Sequence, residues 1–203
     1  MYSIPYFRDP EPFEWYYGYD VFKDIIVPHV DKGGYVLVAG CGNSHFMEEM
    51  VEDGYEQILG VDISRVVLAI MKARCKDFPE ISFVQADMCD TNLPEKTYDA
   101  VIDKALLDSV LCNPNGGEKF VQSLIYEVQL LNEFHLLAHI TPRLFLFSSQ
   151  VVRLLKDDGV YICISHGNPE DRLKFLEQYD LELPCYTPWY VDVQAVRKYS
   201  YRN

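Results

Sequence analysis

Apolar and polar positions along this chain follow two alternating periods. Short apolar runs predict β-strands at Tyr35–Ala39, Gln57–Val61, Ile81–Gln85, Tyr98–Asp103 and Val160–Ser165. Between them, apolar residues recur at helical spacing over Ser44–Glu52 and Ser64–Cys75, and a long, mostly apolar helical region runs from Gly117 to Lys156. Strand-helix alternation of this kind predicts an α/β, doubly wound, mostly parallel sheet, because parallel neighbours need a crossover that a helix supplies. Ahead of the first strand lie the turn residues Asp31-Lys32-Gly33-Gly34 and an aromatic amphipathic segment from Phe13 to Val27. With no internal repeat, low-complexity tract or interdomain linker, one domain over 1–203 is expected.

The first strand ends in Gly40-Cys41-Gly42-Asn43-Ser44. Glycine tolerates positive φ and lets a ligand approach the backbone, and the helix that follows favours negative charge at its start. A nucleotide-like cofactor is therefore expected. A dinucleotide fingerprint would place a third glycine where this chain has His45, which disfavours a nicotinamide dehydrogenase. Asp62 closes the second strand, about 20 residues past the glycine loop, where a carboxylate can accept both ribose hydroxyls of an adenosine. After the third strand, Asp87 can accept from an adenine amino group while Met88 covers the ring. Taken singly, Asp62 and Asp87 can also serve only as helix caps or surface carboxylates. Their joint position at consecutive strand ends favours a ligand.

Composition narrows the partners. A formal net charge of −13 argues against a nucleic-acid backbone and permits a basic protein partner. The cysteines Cys41, Cys75, Cys89, Cys112, Cys163 and Cys185 are dispersed without a Cys-x-x-Cys pair, so free thiols in a reducing compartment are expected. The first residues lack a secretory pattern and no stretch has the length of a membrane span, which leads to the expectation of a soluble, cytoplasmic protein with no membrane partner. His135 and His139 are spaced i,i+4 but lack the glutamate of a zinc helix, so no metal is expected.

Four segments carry a resemblance: Phe13-Glu14-Trp15-Tyr16, Val36 to Ser44, Val61-Asp62-Ile63-Ser64, and Asp103-Lys104-Ala105-Leu106-Leu107-Asp108. Together they resemble the seven-strand methyltransferase-like family that includes eukaryotic lysine methyltransferases of elongation factor 1-alpha. The resemblance spans most of Phe13 to Leu176 and implies a Rossmann-like sheet and S-adenosyl-L-methionine as cofactor. It further implies methylation of a lysine in a protein substrate such as that elongation factor. Small-molecule methylation, or a catalytically weak interaction module retaining the fold, are the alternatives. By resemblance, Trp15, Gly40, Asp62, Ile63, Asp87, Met88 and Lys104 match cofactor-contacting positions. Gly42, Asn43 and Asp103, in the same motifs, complete the cofactor-binding set. Trp15 belongs to an N-terminal lid segment, 1–30, whose aromatic face suits a sulfonium cation. Lys104 either meets the methionine carboxylate or pairs with Asp103 or Asp108. A lysine acceptor has to lose its proton before it attacks, and Asp103, Asp108 or a tyrosine can take part; the catalytic residue is left open.

Two departures from the family pattern stand out. Residues 129–150 interrupt what should be one helix; without them Tyr126-Glu127-Val128 joins Val151 to Gly159 as an amphipathic helix ending at glycine. The insertion is either a helical extension of this lineage or translated intron sequence. The sequence ends at Asn203, and a short or missing last strand is expected.

Overall fold

The computed structural model describes residues 11–111, 151, 153–170 and 192–194. Five strands form one sheet: β1 (Tyr35–Ala39), β2 (Gln57–Asp62), β3 (Ile81–Gln85), β4 (Tyr98–Lys104) and β5 (Leu155–Ile164). Their order is β3-β2-β1-β4-β5, and every pairing is parallel. The chain thus leaves β1 toward one edge and returns to build the other. The strand order reverses beside β1, and at such a switch point the connections diverge and open a crevice at the carboxyl ends of β1 and β4.

Burial explains the apolar runs. Val36, Leu37, Val38 and Ala39 of β1 and Ala100, Val101 and Ile102 of β4 are all buried, as expected of central strands covered on both faces. The helices described are α1 (Tyr19–Ile26), α2 (Phe46–Glu52), α3 (Arg65–Arg74) and α4 (Leu106–Leu111). Helix α1 buries Tyr19, Phe22 and Ile26 along one stripe, and α2 buries Phe46, Met47 and Met50. Ser64 caps α3 by accepting from the Val67 amide at 3.3 Å. The start of α1 is tied to α2: Tyr19 N–H donates to Glu49 at 2.6 Å, and the Tyr19 hydroxyl donates to Asp53 at 2.8 Å. These bonds set where the aromatic segment preceding α1 runs.

One expected element differs. The residues up to Gly159 were expected to be helical, yet β5 begins at Leu155 and carries Gly159 inside it. Leu155 pairs with Tyr98, and the register shifts between Tyr98 and Ala100. Lys156 binds both carboxylate oxygens of Asp99, at 2.8 and 2.9 Å, and Asp157 pairs with Lys96. These partners lie on and beside β4 and are remote in sequence, so helical periodicity could not register them. A Cβ on Gly159 would lie 3.1 Å from the Tyr98 carbonyl, so the glycine serves close approach of strands.

The chain divides into two compact units, Met1–His166 and Gly167–Asn203. In the second, the described residues include Glu170, whose amide donates to Asn168, and Gln194, which donates to Asp192. Among the described residues, Cys41, Cys75, Cys89 and Cys163 form no disulfide with one another, no helix is long and apolar enough to cross a membrane, and no cluster suited to a metal occurs. The 129–150 insertion, His135, His139, Cys112, Cys185 and the final strand lie outside the described residues.

Candidate functional site

The loop after β1 is held open by its own backbone. Gly40 and Gly42 have φ of +62° and +55°, a region that side-chain-bearing residues rarely adopt. At Gly40 space is also closed, since a Cβ would meet Leu106 Cδ1 at 2.9 Å; at Gly42 its nearest neighbour would be the Gly40 carbonyl, at an uncrowded 4.0 Å. The Gly42 amide donates to Asp62 Oδ2 at 3.0 Å, and the Ser64 amide donates to Oδ1 at 2.8 Å. Asp62 therefore pins the loop to the end of β2 and is itself immobilised. Burial raises its pKa, opposed by the amides that donate to it.

A second anchor comes from the segment before α1. One Glu14 oxygen accepts from Ser44 Oγ at 2.5 Å and from the His45 amide at 2.7 Å, while the other accepts from Lys104 Nζ at 2.5 Å. Lys104 also donates to the Trp15 carbonyl at 3.0 Å and lies 5.5 Å from the centre of the Phe46 ring. With its side chain only 6% exposed, Lys104 needs this compensation. Of the partners expected for Lys104, Asp103 and Asp108 are displaced by Glu14, which the segment carries over from 90 positions away. The lysine thus straps Glu14-Trp15 over the carboxyl ends of β1 and β4.

Between strap and loop lies a cleft of about 320 Å³. Its walls include Trp15, Gly40, Gly42, Asn43, Asp62, Ile63 and Lys104 from the expected set, together with Phe13, Leu106 and Ser109. Trp15 and Ile63 are 53% and 61% exposed, so apolar surface is offered to a ligand. Asp87, Met88 and Asp103 stand outside these walls. Asp87 accepts from the Cys89 amide at 2.9 Å, and Met88 is buried.

Asp103 is wholly buried at the end of β4 and caps α4, accepting from the Leu106 and Leu107 amides at 2.7 and 2.9 Å and from the Tyr161 hydroxyl at 3.1 Å. Burial pushes its pKa up to about 7 despite these donors. The folded chain then holds a proton on Asp103 that the unfolded chain has released above about pH 4. Its stabilising contribution is complete below about pH 4 and is lost as pH rises through 7. The unfolding midpoint of Asp103→Asn should lack that decline, with the wild-type slope approaching about 1.4 kcal/mol per pH unit between pH 5 and 7. Parallel thermal melts of the two proteins across this window test it, and matching slopes would refute the assignment.

Sequence reasoning gave no role to Glu14, although a carboxylate inside an aromatic amphipathic segment was the available signal. Phe13 and Ser109 were likewise missed as cleft walls.

Comparison with known proteins fits this geometry. Residues 36–124 match the model of a methyltransferase domain. An eEF1A lysine and N-terminal methyltransferase from Mus musculus is 33% identical over 159 residues, 78% of this chain and 20% of its own length. EEF1A lysine methyltransferase 4 from Bos taurus is 31% identical over 171 residues, 84% of this chain and 60% of its own length. The chain thus spans less than two thirds of either relative. Among solved structures, the PH0226 protein from Pyrococcus horikoshii superposes with a TM-score of 0.53 at 21% identity, covering 79% of this chain and 62% of that one.

S-adenosylmethionine suits the cleft: the loop glycines leave the backbone open to a ligand, Asp62 holds a fixed carboxylate at the end of β2, the kind of group that accepts from ribose hydroxyls, and Trp15 places an exposed aromatic ring in the wall, the kind of group that attracts a sulfonium. The chain carries a Rossmann-like methyltransferase fold with S-adenosylmethionine as its cofactor, and it resembles the eEF1A lysine methyltransferases.

Proposed function

We propose that this chain is an S-adenosylmethionine-dependent methyltransferase acting in the cytoplasm on a lysine of a protein substrate, with a translation elongation factor as the leading candidate. The observation that carries the reading is the cleft at the β1/β4 switch point, bounded by a glycine loop that Asp62 pins and a strap that Lys104 holds. The names of the relatives support lysine as acceptor, and the net charge of −13 favours a basic partner.

When bound, the cofactor supplies an electrophilic methyl group, so the protein's work is alignment and exclusion of water. Gly40 and Gly42 admit the ligand, and Asp62, Trp15 and Ile63 orient its adenosine and sulfonium ends. Glu14 and Lys104 position the strap. Asp103 is fully enclosed beneath α4 and serves as a positioning residue.

Incubation with tritiated S-adenosylmethionine and a cell lysate should label a protein band, and hydrolysis of that band should release methyl-lysine. Label confined to the low-mass fraction would replace this reading with small-molecule methylation. Cofactor binding without any labelled product would favour an interaction module.

A further inference from the structure

We infer that Asp108, flanked by the stacked rings of Tyr16 and His166, forms the subsite that receives the acceptor amine, an inference that rests on the methyl-transfer reading above. Asp108, Tyr16 and His166 stand just outside the cleft walls: Asp108 lies on α4 between the wall residues Leu106 and Ser109, and Tyr16 follows the wall residue Trp15. Asp108 Oδ1 accepts from Ser165 Oγ at 2.6 Å. Its Oδ2 accepts from the His166 amide at 3.0 Å and from the Tyr16 hydroxyl. Donors from the strap and from the turn after β5 thus fix one carboxylate beside the cofactor cleft.

The rings extend the same surface. Tyr16 and His166 stack with centroids 5.8 Å apart and planes 27° apart, and Trp15 meets Tyr16 edge-on at 6.4 Å. Phe13 continues the series against Trp15 at 5.5 Å. An aromatic wall therefore runs from the cleft to the exposed His166. Tyr16 holds a φ of +70°, and Ala105, preceding α4, holds +75°. Such a conformation is strained for a non-glycine residue and persists only where the surroundings hold it, and the Tyr16 hydroxyl bond to Asp108 is one such restraint.

A fixed carboxylate framed by aromatic faces recognises an alkyl ammonium. The carboxylate accepts charge-assisted hydrogen bonds, the rings attract the cation, and the methylene stem lies along them. A lysine side chain has all three features. Anionic acceptors are repelled, and a neutral hydroxyl gains neither the charge nor the cation–π contribution.

The test uses the whole chain saturated with S-adenosylhomocysteine, with Nα-acetyl-lysine methylamide as probe and its norleucine counterpart, which keeps the stem and lacks the ammonium, as control. Titration followed by Trp15 fluorescence and His166 ring resonances should show the lysine probe binding at least about tenfold more tightly. Asp108→Asn should bring the two probes within about twofold of each other while S-adenosylhomocysteine binding holds within about twofold. His166→Ala, a change at an exposed ring, should weaken both probes, the lysine probe more, and so narrow the preference without abolishing it. Equal binding of the probes to the wild type, or a preference that survives Asp108→Asn, would overturn the inference. Unchanged affinities in His166→Ala would do the same for the aromatic flank. Asp108-dependent lysine preference without methyl transfer to any protein would remove the proposed function and leave the subsite standing. Methyl transfer without lysine preference would do the reverse.

Discussion

Gly40→Ala should unfold roughly 3 kcal/mol more easily than the wild type and lose measurable S-adenosylmethionine binding. Two costs combine at this position. A left-handed backbone costs a residue with a Cβ about 1–2 kcal/mol, and forcing an extra methyl into packed space costs about 1–3 kcal/mol more. The second arises because the new Cβ would lie 2.9 Å from Leu106 Cδ1 and 3.0 Å from Leu106 Cβ. Leu106 begins α4, directly above the Asp103 cap, and has little freedom to retreat.

Gly42→Ala is the informative contrast. Its φ of +55° brings the backbone cost, but its Cβ would meet nothing nearer than the Gly40 carbonyl at 4.0 Å. Destabilisation near 1–2 kcal/mol is expected there, while cofactor affinity still falls because the methyl stands in the cleft wall. Urea unfolding and calorimetry on the two variants separate these effects. Equal destabilisation of both would show that crowding at Leu106 contributes nothing.

Lys104→Met should lower stability by roughly 3 kcal/mol and cofactor affinity by at least about tenfold. Removing one partner of a buried ion pair costs about 3–5 kcal/mol because the other charge is stranded. The lower end applies, since the Glu14 side chain is 28% exposed and keeps its bonds to Ser44 and the His45 amide. Affinity falls because the Trp15 carbonyl loses its donor and the strap loses its attachment to β4. In the double variant with Glu14→Gln no stranded carboxylate remains, and a double-mutant cycle should return a coupling of about 1–3 kcal/mol. Additive losses would mean that the pair acts as two independent contacts.

Much of the fold was legible in the linear pattern because strands buried on both faces must be apolar over their whole length. Val36 to Ala39 and Ala100 to Ile102 announce central strands for that reason. The glycine loop and Asp62 were legible as well, because positive φ restricts residue choice locally and the end of β2 lies about 20 positions along the chain. The start of β5 was not legible. Leu154-Leu155-Lys156 suits a helix as well as a strand, and what selects the strand is pairing with Tyr98 and the Lys156–Asp99 ion pair, 57 positions apart.

The same division runs through the site. Trp15, Gly40, Gly42, Asn43, Asp62, Ile63 and Lys104 could be named as candidates from their motifs, and the fold brings them to one cleft. Their partners could not be named. Lys104 was expected to meet a ligand carboxylate or a neighbouring aspartate, yet Glu14 holds it from 90 positions away. Asp103 looks in sequence like its equals Asp62 and Asp108, but burial beneath α4 makes it a cap.

By itself the sequence determined which segments must be buried and which backbone positions must be glycine, since hydrophobic period and allowed φ are properties of local chemistry. Only the tertiary structure decided which charges neutralise one another and which carboxylate faces the cleft. Those outcomes depend on distances between residues far apart in the chain, and a buried charge takes whichever partner the fold carries within reach.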